Sequence, residues 1–119
     1  MRAVLLVDQK QSTAGIIKTY LSAGGYSVDH TPDPAQALEF ASQAHYGVVV
    51  TDLVLPGMTG FDLYREIKSH DERIQFVFLL VPSREALRLM GTLERRDVIK
   101  KEPLSMNEVI HKVRAAFHE

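Results

Sequence analysis

Tyr46-Gly47-Val48-Val49-Val50-Thr51-Asp52 is the stretch on which the fold turns. Its apolar residues are consecutive, where a strand with one wet face would alternate, and three of them are β-branched. That composition reads as a strand covered on both faces, the environment of a parallel sheet. The strand delivers Asp52 at its carboxyl end. A parallel neighbour requires a crossover of a dozen or more residues, so the flanking sequence should hold helices and further strands of the same kind. Ala3-Val4-Leu5-Leu6-Val7 meets that requirement upstream, again consecutive and again followed by an aspartate, Asp8.

Between these strands, Ile16, Ile17, Tyr20 and Leu21 recur at helical spacing over Ser12–Ala23, and Gly24-Gly25 ends that helix. Tyr26, Val28 and His30 alternate with Ser27 and Asp29 in a short strand with one side toward solvent. Thr31-Pro32-Asp33-Pro34 starts a second helix, with Asp33 as cap and Pro34 in the first helical position, burying Ala37, Leu38 and Ala41. Beyond Asp52, Leu55–Met58 reads as loop. Thr59 followed by Asp62 forms a capping-box pattern for a helix with Phe61, Tyr64 and Ile67 inward. Ile74–Val81 is the most apolar strand and belongs at the centre. Ser83 caps a fourth helix carrying Ala86, Leu87, Leu89, Met90 and Leu93; a short fifth strand follows at Asp97–Lys100. The fifth helix begins at Ser105, with Glu108 completing a capping box and Val109, Val113 and Phe117 on one face. Five strands and five helices in strict alternation, joined by right-handed crossovers, give an α/β doubly wound parallel sheet of order 2-1-3-4-5, the flavodoxin-like arrangement. The least apolar strands, Tyr26–His30 and Asp97–Lys100, form its edges.

The chain has 119 residues, close to the usual size of one domain, so residues 1–119 are expected to form a single unit. Fourteen basic against fifteen acidic side chains leave a formal charge of −1, which offers no general attraction to nucleic acid or an anionic membrane. A 45% hydrophobic content argues against disorder. The absence of Cys excludes disulfides, thiolate zinc sites and cysteine nucleophiles. The longest apolar run, Phe76–Val81, stops at Pro82, far short of a spanning helix, so a cytoplasmic protein is expected.

In a sheet of this order, ligands sit beyond the carboxyl ends of the strands at the switch point. Asp8 and Asp52 both arrive there. Two carboxylates brought together repel unless a cation or proton compensates them, and hard oxygen ligands suit Mg²⁺. The alternative is plain helix capping, Asp8 serving the helix near Ser12 and Asp52 the one near Thr59.

The runs Val4–Asp8 and Val48–Gly60, the latter holding Asp52-(three residues)-Pro56-(three residues)-Gly60, resemble the CheY-like response-regulator receiver domain of two-component signalling. So do the length, the number of elements and the late loop ending in Pro103. The resemblance covers essentially the whole chain. It implies that Asp52 accepts a phosphoryl group from a histidine kinase or phosphotransfer protein, and that Asp8, Gln9, Asp52 and the backbone carbonyl of Val54 hold a weakly bound Mg²⁺. Gln9 stands where the family has a second acid, so it contributes less attraction for the ion.

Two further positions depart from the family. Leu80 falls where a Thr or Ser hydroxyl normally contacts the phosphoryl group, and leucine has no donor; Ser83, three residues on, reads as a helix cap. The Lys-Pro pair is replaced by Lys100-Lys101-Glu102-Pro103. Counting back from Pro103 puts Glu102 in the lysine position; counting forward from Val98-Ile99 puts Lys100 there, which spares the strand two buried lysines and is the register adopted. The aromatic switch position falls on Ile99 or Asp97 in these two registers, and neither is aromatic.

The five histidines are scattered without metal-ligand spacing, Gly57-Met58-Thr59-Gly60 lacks the ending of a phosphate-binding loop, and acids interrupt the basic pairs Arg95-Arg96 and Lys100-Lys101. The family's output face is the fourth helix, fifth strand and fifth helix, where a downstream protein or a second copy docks. Leu87 and Leu89 lie about 200° apart on a helix, so one apolar side chain there should be exposed. Three functions follow: a phosphorelay receiver with a degenerate pocket, a phosphorylation-independent interaction module, or a small flavodoxin-like enzyme. For the last, the groove above Asp52 should reach the roughly 300 Å³ lower range of small-molecule pockets.

Overall fold

The computed structural model describes residues 2–81, 83–90, 98–101 and 104–118. The elements run β1 (Ala3–Val7), α1 (Gln11–Ala23), β2 (Ser27–Thr31), α2 (Pro34–Gln43), β3 (Val48–Asp52), β4 (Val54–Leu55), β5 (Met58–Thr59), α3 (Gly60–His70), β6 (Gln75–Leu80), α4 (Arg84–Met90), β7 (Val98–Lys100) and α5 (Met106–Ala116). Five strands form one sheet of order β2-β1-β3-β6-β7, and every neighbouring pair is parallel. With the short β4 and β5 set aside, this is the expected order 2-1-3-4-5, with β2 and β7 as edges.

Alternation along each strand sends side chains to opposite faces, which is why the apolar runs are unbroken. Leu5, Val7, Val49, Phe76, Phe78 and Leu80 face α2, α3 and Ala86 of α4. Val4, Leu6, Val48, Val50, Val77, Leu79 and Ile99 face α1 and α5. The edge strand β2 buries Val28 and leaves Ser27 and Asp29 exposed, as its alternation foretold, while Thr31 at its end is buried against the alternation.

Caps hold the helices where the sequence places them. Asp33 accepts from the Ala35 amide, Thr59 and Asp62 form a full capping box, Ser83 accepts from the Ala86 amide at 3.0 Å, and Ser105 accepts from the Glu108 amide at 3.3 Å. The buried faces differ in detail from the expectation. In α1 the core takes Ala14, Ile17 and Leu21, while Ile16 and Tyr20 are about half exposed. In α3 it takes Leu63 and Ile67; Tyr64 is partly buried against the rings of Phe76 and Phe78. Leu87 is 64% exposed whereas Leu89 packs on the core, as the helical geometry required.

The expected loop Leu55–Met58 is a tight antiparallel hairpin, β4 against β5, whose turn residue Gly57 has φ +76°. At the opposite end of the sheet from Asp52, Phe117 stacks on Tyr26 at 5.4 Å, and the Arg2 guanidinium lies 4.2 Å from the centre of the same Tyr26 ring. Phe117 also covers Gly47, where an added Cβ would come within 2.4 Å of the ring. No helix among the described residues is long and apolar enough to cross a membrane. Leu93, the pair Arg95-Arg96, the strand start at Asp97, and Glu102 and Pro103 lie outside the described residues.

Candidate functional site

The carboxyl ends of three strands converge above the sheet. Asp52 is the last residue of β3, Asp8 directly follows β1, and Lys101 directly follows β7. All three are buried, Asp8 fully and Asp52 to within 7%. The Lys101 ammonium lies 2.5 Å from Asp8 Oδ1 and 2.8 Å from Asp52 Oδ1, bridging the two carboxylates. Backbone and side-chain donors fill the remaining positions. The Lys10 amide donates to Asp8 Oδ1 at 2.9 Å, the Thr13 hydroxyl to Asp8 Oδ2 at 2.6 Å, and the Gln9 amide to Asp52 Oδ2 at 3.0 Å. The Gln9 side chain turns its Nε2 onto the Val54 carbonyl at 3.1 Å.

Burial dominates the titration of Asp52 and pushes its carboxyl above the usual aspartate range; the Lys101 and Gln9 donors act against burial, while the Asp8 charge acts with it. Lys101 shows the opposite balance of causes. Burial alone would lower its pKa, but hydrogen bonds to Asp52 and Asp8 and their charges outweigh it, and the net shift is upward. The cluster is two carboxylates around one ammonium, a resident cation already in place.

Helix capping does not explain these acids. Thr59 caps α3 by itself with Asp62, and Asp52 takes no part; Asp8 contacts the Lys10 amide, but α1 has no side-chain cap. Gly60 opens α3 directly against β3. Its amide donates to the Leu53 carbonyl at 2.7 Å, and a Cβ on it would meet the Asp52 carbonyl oxygen at 2.3 Å. The spacing from Asp52 to Gly60 is thus the length of the β4–β5 hairpin that brings α3 back beneath the acid.

A model of the response regulator receiver domain matches residues 4–114. The chain belongs to that family. Receiver domains of this family are signalling modules rather than enzymes in the usual sense. Among curated proteins, this receiver is 29% identical over 116 residues to the transcriptional regulatory protein GltR of Pseudomonas aeruginosa, covering 96% of this chain and 48% of that one. It is 29% identical over 114 residues to the response regulator SaeR of Staphylococcus aureus, covering 95% and 49%. It therefore spans about half the length of these curated relatives. Among solved structures, the chemotaxis protein CheY4 of Vibrio cholerae shares the fold with a TM-score of 0.82 at 23% identity, covering 98% of both chains. A receiver domain from Clostridium thermocellum matches at 0.84 and 20%, covering 99% and 95%.

The expected Mg²⁺ site is corrected by this geometry. Asp8 and Asp52 are held by Lys101 rather than left free for an ion, the Gln9 carboxamide occupies the Val54 carbonyl, and no group of three His, Cys, Asp or Glu suited to a metal exists among the described residues. The residues of this receiver do not fit the ion.

The lysine register also changes. Lys100 is the last residue of β7 and exposed, and the cation at the carboxylates is Lys101, whose amide donates to the Leu80 carbonyl at 2.8 Å. Both counts along the sequence missed it. One signal was available: Asp8 also sits one residue past its strand, and residues in that position lean over the sheet end. Leu80 is buried in the core on the α2–α4 side and Ile99 on the α1–α5 side, so neither brings a polar atom to the site. Ser83, as expected, spends its hydroxyl on the α4 cap.

The groove above Asp52 has a volume of about 490 Å³ and apolar walls formed by Leu53, Val54, Leu79 and Val81. That exceeds the small-molecule threshold, yet a hollow of about 530 Å³ also lies on the outer surface of α4, lined among the described residues by Arg84, Leu87 and Arg88. Volume at this size therefore describes open surface as well as pockets. With Val81 43% exposed at its rim, the groove is open and encloses nothing.

Proposed function

We propose that this receiver passes a signal by protein contact and that its state is set by docking rather than by phosphorylation of Asp52. The bridge from Lys101 to Asp8 and Asp52 carries this reading. Both oxygens of Asp52 already accept hydrogen bonds, Oδ1 from the Lys101 ammonium and Oδ2 from the Gln9 amide, and the charge-assisted one lowers the nucleophilicity an attack on a phosphoryl group needs. Leu80, in the position of the family's hydroxyl, supplies no donor to hold the product. A ligand shifts a two-state equilibrium only through its differential affinity for the states, and that differential is small here.

The input partner on this reading is a histidine kinase or phosphotransfer protein used as a docking partner. The output surface is α4, β7 and α5, where Leu87 is exposed, toward a downstream protein or a second copy of this chain. No direct contact with nucleic acid is needed. A cytoplasmic setting fits a module of this kind.

The second reading, with Asp52 as acceptor and Lys101 as the cation beside the phosphoryl group, is favoured by the place of Asp52 on the floor of the open groove. Intact-mass measurement after acetyl phosphate treatment separates the two. No mass gain on the wild type supports the docking reading. A gain of one phosphoryl group that Asp52→Asn abolishes establishes the second.

A further inference from the structure

We propose that Gln9 is the residue that sets the cation specificity of this pocket: its carboxamide, in place of a charge, leaves Lys101 as the resident cation and makes the pocket reject divalent ions. The inference stands on the geometry of the pocket and not on the signalling reading above.

Each oxygen a divalent ion would need already has a donor of the protein's own. Asp8 Oδ1 and Asp52 Oδ1 accept from the Lys101 ammonium, Asp52 Oδ2 accepts from the Gln9 amide, and Asp8 Oδ2 accepts from Thr13. The Val54 carbonyl accepts from the Gln9 side chain. Among the described residues no buried side-chain nitrogen or oxygen lacks a partner. The pocket is therefore complete as it stands, with nothing unsatisfied for an ion to relieve.

Charge decides against the ion as well. Two carboxylates and one ammonium leave the cluster a single net negative charge, whereas Mg²⁺ needs its dehydration offset by carboxylate oxygens in near-octahedral order. Gln9 sits at the rim, exposed, with its backbone tied to Asp52 and its side chain on the Val54 carbonyl, so its side chain can change chemistry beside both without disturbing the core. An acid at position 9 reverses both features together. It removes the donor from the Val54 carbonyl and adds the missing negative charge beside Asp52.

The probe is Mn²⁺, read by paramagnetic broadening of backbone amide signals in the full chain. The wild type is expected to show no site-localised broadening at residues 8, 9 and 52–54 at millimolar MnCl₂. Gln9→Asp is expected to show saturable broadening at those residues, reversed by excess MgCl₂, with half-effect at a concentration lower by on the order of tenfold or more. Gln9→Asn, which is neutral and too short to reach Val54, is expected to behave as the wild type. Signal dispersion reports folding in each case, and Gln9→Glu serves as a second acidic variant. Localised broadening in the wild type or in Gln9→Asn overturns the proposal, as does its absence in both folded acidic variants. No phosphodonor or partner enters the experiment, so its result is independent of whether Asp52 is modified.

Discussion

Lys101 is paired with both carboxylates of the pocket. Removing one partner of a buried charge cluster leaves the others unpaired in a poor solvent for charge, which costs about 3–5 kcal/mol. Lys101→Met leaves Asp8 and Asp52 facing each other with no cation, and urea denaturation at neutral pH should show a loss of that size. The sign of its pH dependence is fixed by the upward shift of the lysine. Lys101 binds its proton more tightly folded than unfolded, so its contribution is complete below the unfolded value and disappears as pH rises through the folded one. The gap between wild type and variant should therefore close on the alkaline side, and it should also narrow in acid, where Asp52 takes up a proton and no longer needs the cation.

Asp52 behaves oppositely. Its pKa is raised on folding, chiefly by burial, so the ionised carboxylate costs stability above its folded pKa. Asp52→Asn keeps the Lys101–Asp8 pair and removes the surplus charge, and should stabilise the protein by ~1 kcal/mol at neutral pH. That gain should shrink as pH falls through the folded pKa and vanish below the unfolded one, which thermal melts across the acid range would reveal.

At the scale of elements, the glycines test how α3 is seated. Gly60→Ala drives a methyl group into the Asp52 carbonyl and the Leu53 backbone, neither of which can rotate away. Overpacking of this kind costs about 1–3 kcal/mol and should displace the amide signals of Asp52 and Leu53. Gly15→Ala in α1 meets nothing within 4 Å and should instead raise the melting point, by about 0.5–1 kcal/mol of helix preference. Opposite signs for one substitution type in two helices would confirm that contact at β3, not helix propensity, fixes Gly60.

This is also the scale at which the sequence was most legible. Asp33, Thr59, Ser83 and Ser105 announce their helices because capping is chemistry between residues two or three apart. The β4–β5 hairpin escaped notice because two-residue strands have no period to read. Ile16 and Tyr20 recur at helical spacing with Ile17 and Leu21 yet stay about half exposed, because an apolar stripe can be wider than the contact it makes. Lys101 was hidden for a different reason. Lys100, Lys101 and Glu102 are all charged, and the residue that crosses the sheet end is chosen by where the β6–β7 ladder stops, at Leu80 opposite Lys100. The Mg²⁺ expectation failed likewise: whether a glutamine offers its oxygen or its nitrogen depends on what stands opposite, here a carbonyl.

Taken as a whole molecule, the receiver joins its acid cluster to the end of β7 through Lys101, and to α4 through packed apolar side chains. Leu80 packs in the same core as Ala86 and Val98, so its side chain offers the cluster no polar contact toward α4. Beryllofluoride, a stable mimic of an aspartyl phosphate, and Asp52→Asn should both disturb Lys101, which contacts Asp52, but should leave the association constant and the backbone chemical shifts over residues 84–90 nearly unchanged. Large shifts that reach those residues in the wild type and are absent in Asp52→Asn would demonstrate a working switch built from other groups.

One aromatic ring at the far end of the sheet has a consequence for how the chain is strung. Arg2 lies against one part of Tyr26 and Phe117 against another, so residues from the two extremes of the described polypeptide are fastened to a single side chain. The path through the fold is in effect a loop whose closure is non-covalent. Order of synthesis then matters less to the architecture than the set of neighbours: a permuted chain, joined from Phe117 to Arg2 by a short Gly-Ser linker and opened at the exposed turn Glu72–Arg73, should assemble the same sheet, with circular dichroism and amide dispersion close to those of the parent.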